Sequence, residues 1–356
     1  MSASGEFCTT PAQLIFKHHP PVVARHINAV HATRERGVSR GAIVTVISVM
    51  KFNDHEGALI SDSLTTIGGE KDRAATKVRS FEMENFNALV GLAGNADFLH
   101  EVMQTAAGFN GIGKIEKGKE LADALSRIMN SVRHKFIEGY LQRTYAIEEV
   151  DAQHGFRRVD DGKFELRDEI IKDYFTLARG IDEHSHATLT DGDLLLVTSD
   201  DINIYIIASA AGASFVSSRP YRSIGGGRSV ADYNLTEFYE STSREQRNNI
   251  PPTDGLAALI RAVDKASMHT MGVEGTPMIS ILHPEEGIIM PNANNTHLAT
   301  EIVRAEGAGL LPIGFRREAI DTLLYKKDNF AGVEREMYRN ATNRKKLDRF
   351  LRGYQV

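Results

Sequence analysis

The sequence predicts an α+β chain folded as a four-layer αββα sandwich, and two observations predict it. Strand and helix signals alternate in blocks: strand pairs, two helices, strand pairs, two helices, then one more strand. The strands are also near-continuous apolar runs, as in Ala88-Leu89-Val90-Gly91-Leu92-Ala93-Gly94, where a half-exposed strand would alternate. Two antiparallel sheets packed face to face, each covered outside by helices, bury such strands on both sides.

The elements follow in order. Residues 1–40 are irregular, with Pro11, Pro20 and Pro21, and a short basic helix is expected over 22–36, where Val23, Ile27 and Val30 have helical spacing. The β-branched run 42–50, the turn Asn53-Asp54-His55-Glu56-Gly57 and the return run 58–62 read as a hairpin. A second pair spans 77–81 and 88–94. The period then changes to 3.6, with Phe98, Val102 and Ala106 on one helix and Leu121, Leu125, Ile128, Val132 and Phe136 on a longer one. Residues 140–190 are polar with weak periodicity and are expected to be an insertion. Strands resume at 193–198, 202–208 and 214–216. Tyr221–Gly227 ends in three glycines, followed by helices near 230–242 and 254–269 and a strand at 278–282. The tail is expected to be mainly helical, and it ends basic.

Composition narrows the function classes. The 356 residues are 42% hydrophobic and 25% charged, ordinary for a globular protein, and the formal charge of −5 gives no general attraction to nucleic acid or anionic membrane. The single cysteine, Cys8, allows neither an internal disulfide nor a cysteine-based zinc site. No apolar run reaches 18 residues, and the first 30 carry no signal-peptide pattern, so a cytoplasmic protein is expected. The three glycines before a helix lack the Gly-Lys-Ser/Thr ending of a phosphate loop, and no dinucleotide fingerprint is present; no cofactor is expected. His184 and His186 could face one metal, but they lie among Asp182 and Glu183 in a polar loop and read as solvated.

The hairpin 42–62, the run Lys77-Val78-Arg79 and the stretch Gly91-Leu92-Ala93-Gly94-Asn95-Ala96-Asp97 resemble, in order and spacing, the first half of proteasome β subunits and of the bacterial HslV peptidase, members of the N-terminal nucleophile (Ntn) hydrolase superfamily. Ser223-Ile224-Gly225-Gly226-Gly227 sits where that family has an Ile-Gly-Ser-Gly turn and helix. The resemblance covers about 41–110 and 190–290. It implies an arm or propeptide over 1–44, a proteasome-like domain over 45–290 that carries the 140–190 insertion, and a helical C-terminal extension over 291–356.

The resemblance also implies a chemistry. Removal of a propeptide exposes a threonine whose hydroxyl is the nucleophile and whose new α-amine, with an unperturbed pKa near 8, is the base. Carried over residue by residue, Asp62 is the orienting aspartate, Lys77 the lysine that stabilises the alkoxide, and Gly225, Gly226 and Gly227 the turn that holds the oxyanion. The nucleophile falls on Thr45 if Lys51-Phe52 ends the first strand, and on the inert Gly41 if Ala42-Ile43-Val44 starts it. The pattern departs from the family in three places: Val44 replaces the usual glycine before the threonine, Gly226 replaces the turn's serine, and Asp264 lies about one helical turn before the position of a supporting aspartate. Two functions follow. One is a threonine peptidase acting on peptide or unfolded-protein substrates in a homo-oligomeric ring, fed by an ATP-dependent unfoldase. The other is an inactive subunit with a structural or assembly role. Neither implies a nucleic-acid or membrane partner.

Overall fold

The computed structural model describes residues 45–353, apart from 64, 68–69, 73–76, 110, 160–161, 180–188, 201, 210, 271–272, 274 and 327–328. Gly41, Cys8, the expected helix over 22–36, and the pair His184 and His186 lie outside the described residues.

Fourteen strands, β1 to β14, occur among the described residues. The first sheet contains β1 (Ile47–Lys51), β2 (Gly57–Ser61), β12 (Tyr221–Ile224), β13 (Met278–His283) and β14 (Gly287–Ile289), in the order β12-β1-β2-β13-β14. The second contains β5 (Val78–Glu82), β6 (Asn87–Gly94), β9 (Gly192–Thr198), β10 (Ile204–Ala208) and β11 (Ala213–Val216), in the order β11-β10-β9-β6-β5. All these pairings are antiparallel. Two small hairpins, β3 (Thr65–Ile67) with β4 (Glu70–Asp72) and β7 (Phe156–Val159) with β8 (Gly162–Glu165), stand apart. The two hairpins read from the sequence therefore belong to opposite sheets.

Strand alternation sorts the apolar runs into separate cores. Ile47, Val49, Leu59, Leu89, Ala93, Leu195, Val197 and Ile224 meet between the sheets. Their neighbours Ala88, Val90, Leu194 and Leu196 face outward, against α1 (Ala96–Ala107) and α2 (Gly118–Tyr145). On the other side Val46, Met50, Ala58, Ile60, Ile279 and Ile281 pack under α5 (Arg228–Ser241) and α6 (Pro252–His269). Here α3 (Glu149–His154) and α4 (Asp168–Arg179) lie within the polar stretch 140–190. At Gly91 the sheets come so close that a Cβ there would sit 2.5 Å from Ile47 Cγ2.

Helix α1 starts where the sequence changes period, because the Asn95 side chain accepts a hydrogen bond from the Phe98 N–H and caps it. Helix α2 continues to Tyr145, where Ala146 takes a left-handed conformation. Its last apolar residues, Ile137 and Leu141, leave the sheet and pack with Ile147, Ala152 and Tyr174 in a small core of their own. The tail forms α7 (Ala293–Gly307), α8 (Ile313–Ile320), α9 (Phe330–Asn340) and α10 (Arg344–Leu351), with a π-helical turn at Asp321–Tyr325. Leu298, Ile302, Leu323 and Leu347 extend the core beneath α6. Ion pairs reinforce the join: Asp254 with Arg316 and Arg317, Arg261 with Glu306, and Asp264 with Arg304.

Phe52 is fully buried between β1 and α6, with Gly255 placed to admit its ring. Phe52→Ala is expected to lower unfolding stability by about 3–5 kcal/mol, read as a shifted midpoint with unchanged slope in urea titration.

Candidate active site

Thr45 lies just before β1 and Asp62 just after β2, so the hairpin itself brings them together. The carboxylate is bound through both oxygens. Asp62 Oδ1 accepts from Thr45 Oγ1 at 2.6 Å and from the Val46 N–H at 2.9 Å, and Oδ2 accepts from Lys77 Nζ at 2.8 Å. Lys77 precedes β5 in the opposite sheet, so its bond to Asp62 crosses the sandwich. Thr45 and Asp62 are each 1% exposed and Lys77 is 5% exposed. Burial pushes the Lys77 ammonium below the usual lysine value, while the charge and hydrogen bond of Asp62 pull it upward.

The glycine turn packs against the same threonine. The Gly227 N–H donates to the Thr45 carbonyl at 3.1 Å. Gly225 has φ +87, and a Cβ there would collide with the Thr45 carbonyl oxygen and approach its Cγ2 to 2.8 Å. Only glycine combines that backbone conformation with that clearance. With its N–H directed to the Thr45 carbonyl, Gly227 positions the threonine. The structure thus gathers Thr45, Asp62, Lys77, Gly225 and Gly227 at one end of the sandwich. Asp264, on α6, pairs with Arg304, whose Nε donates at 2.7 Å.

Two acidic residues not singled out from the sequence lie on the second sheet at the same end. Gly192 pairs with Gly94, and Asp191 and Asp193 flank it. Burial, and then the charge of Asp193, push Asp191 up to about 6. Burial also raises Asp193, opposed by Arg228 and Arg222 beside the glycine turn. The sequence signal available was the pair of carboxylates set immediately before an apolar strand. Among the described residues, no group of three or more His, Cys, Asp or Glu side chains is arranged to hold a metal, and no helix is long and apolar enough to cross a membrane.

No protein-family model matches the chain, and no curated protein matches it in sequence. Solved structures do. Anbu (ancestral beta-subunit) from Yersinia bercovieri superposes with a TM-score of 0.51 at 14% identity, over 75% of this chain and 94% of that one. A Gly-1 mutant of Anbu from Hyphomicrobium sp. strain MC1 gives 0.47 at 8% identity, over 75% and 98%. Eukaryotic HslV from Trypanosoma brucei gives 0.38 at 14% identity, over 67% and 99%. The likeness to the Yersinia protein is one of fold: this chain shares its αββα sandwich.

Three substitutions test the electrostatics. Asp62→Ala strands the buried Lys77 charge and is expected to destabilise the fold by about 3–5 kcal/mol, whereas Asp62→Ala combined with Lys77→Met recovers much of that loss in a double-mutant cycle. Asp191 has a raised pKa in the folded state, so the folded form binds the extra proton between 3.8 and about 6, and the group's contribution to stability falls as pH rises through that window. Asp191→Asn is therefore expected to raise stability at pH 8 by about 1–2 kcal/mol, after allowance for partial exposure, and to leave it unchanged below pH 3.8. Thermal unfolding at both pH values reads the difference.

Proposed function

We propose that the chain is a self-processing threonine peptidase with Thr45 as nucleophile. The observation that carries this reading is the buried chain of hydrogen bonds from Thr45 Oγ1 through Asp62 to Lys77 Nζ. A threonine hydroxyl needs an adjacent base and a positive neighbour to act as a nucleophile near neutral pH. Lys77 supplies the positive neighbour, Asp62 orients both groups, and cleavage between Val44 and Thr45 supplies the base as a new α-amine. In that cleavage Thr45 Oγ1 attacks the Val44 carbonyl carbon, the Val44–Thr45 C–N bond breaks, and water then takes the acyl group from the hydroxyl. The same hydroxyl next attacks peptide or unfolded-polypeptide substrates. Assembly into a homo-oligomeric ring served by an ATP-dependent unfoldase completes this reading, and it rests on the resemblance to proteasome β subunits and HslV.

One set of observations favours an inactive subunit instead. Gly226 brings no hydroxyl to the turn, and Asp264 is engaged with Arg304. A preorganised donor missing from such a site costs about 3 kcal/mol of transition-state stabilisation.

Intact mass and N-terminal sequencing separate the two. The peptidase reading expects a mature chain that begins at Thr45. It also expects Thr45→Ala to keep residues 1–44 and to lower peptide cleavage by about three orders of magnitude or more, with an unchanged circular dichroism spectrum. A wild-type chain that keeps residues 1–44 and resists threonine-directed electrophiles would establish the inactive subunit.

A further inference from the structure

Ser61 is the last residue of β2, immediately before Asp62. Its side chain is completely buried, and no group of the described residues hydrogen-bonds its Oγ. Buried hydroxyls are almost always bonded, so one without a protein partner calls for an explanation. Alternation places it: Ala58 and Ile60 face α5 and α6, while Leu59 faces the space between the sheets, so Ser61 faces that space too. Ile47 and Leu59 beside it on that side are apolar, and Ser280 on β13 is a buried polar neighbour one pleat further in.

The register brings Ser61 to the candidate site. It lies opposite Ile47 on β1, and Ile47 is two residues from Thr45. Diagonal neighbours on adjacent strands are roughly 7–8 Å apart at Cα, which one bridging water spans. Lys77 is short of partners at the same end. Its ammonium has three donors, it is 95% buried, and among the described residues Asp62 is the one that accepts from it.

We propose that Ser61 is a positioning residue that, with Lys77 Nζ, holds a single buried water beside Thr45. This role rests on the peptidase reading above. Once Thr45 is the N-terminus, the water takes the Thr45 hydroxyl proton as the Oγ1–carbon bond forms and passes a proton to the α-amine. The resulting ammonium returns that proton to the departing amine nitrogen as the substrate C–N bond breaks. Ser61 Oγ accepts from or donates to the water throughout and is itself unchanged.

The test uses the processed protein that begins at Thr45 and an epoxyketone that labels N-terminal threonines, with Ser61→Ala and Ser61→Thr as variants. Ser61→Ala is expected to slow the maximal labelling rate about 10-fold to 100-fold with unchanged half-saturation by the probe, and Ser61→Thr to restore it. A high-resolution crystal structure is expected to show an ordered water bonded to both Ser61 Oγ and Lys77 Nζ. Wild-type labelling kinetics in Ser61→Ala, or a dry pocket at Ser61 in the crystal, would overturn the role of Ser61 and leave the peptidase reading standing. A wild-type chain that is never labelled at Thr45 would overturn both.

Discussion

The carboxylate of Asp62 is the interaction on which this end of the molecule depends. Three donors converge on it from three places: a side chain before β1, a backbone N–H at the start of β1, and an ammonium from the opposite sheet. A carboxylate buried to this degree is tolerated only when its oxygens are bonded and an opposite charge is near. Lys77, desolvated in turn, has no other ionic partner among the described residues. Each charge makes the other's burial possible, and the pair ties the two sheets together where the apolar packing between them ends. The glycine turn completes the arrangement by gripping the backbone of Thr45, so both ends of that residue are fixed: its hydroxyl by Asp62 and its carbonyl by Gly227.

Much of the sandwich was legible in the sequence because its strands are unusually apolar. The runs at 88–94 and 193–198 signal burial on both faces, and the change of period after Asn95 marks the first helix. Thr45, Asp62 and Lys77 were legible as a set only through their order and spacing; individually each has an ordinary explanation in a strand or turn. Which residues of each run face which core was not legible, because a continuous apolar strand has no polar face to break the symmetry. Pairing of β1 with β12, or of β6 with β9, joins residues far apart in the chain, and local pattern carries no record of such partners.

The added helices illustrate the same limit. Asp254 and Asp264 lie on α6, and nothing local in the sequence shows that arginines of the tail fold back onto them. Arg316 is almost entirely buried, bonded to Asp254 Oδ1 and to the Thr253 carbonyl. A second join lies at the opposite end of the β1–β2 hairpin from Thr45, where Tyr325 donates to Glu56 at 2.5 Å and burial raises the Glu56 carboxyl above its ordinary value. The tail thus extends the core beneath α6, and α6 is covered on both sides.

The grip of the glycine turn on Thr45 has a consequence in time. Chain synthesis delivers Thr45, Asp62 and Lys77 early, whereas Gly225 and Gly227 emerge only after the second sheet and its helices have been made. A nascent chain shorter than this holds the hydroxyl and the carboxylate but has nothing to fix the threonine's carbonyl. The geometry at Thr45 is therefore a late event of folding, set by closure of a long-range strand pairing, the kind of contact that forms slowly. Ribosome-bound fragments lack it, and whatever chemistry resides at Thr45 waits until most of the sandwich is in place.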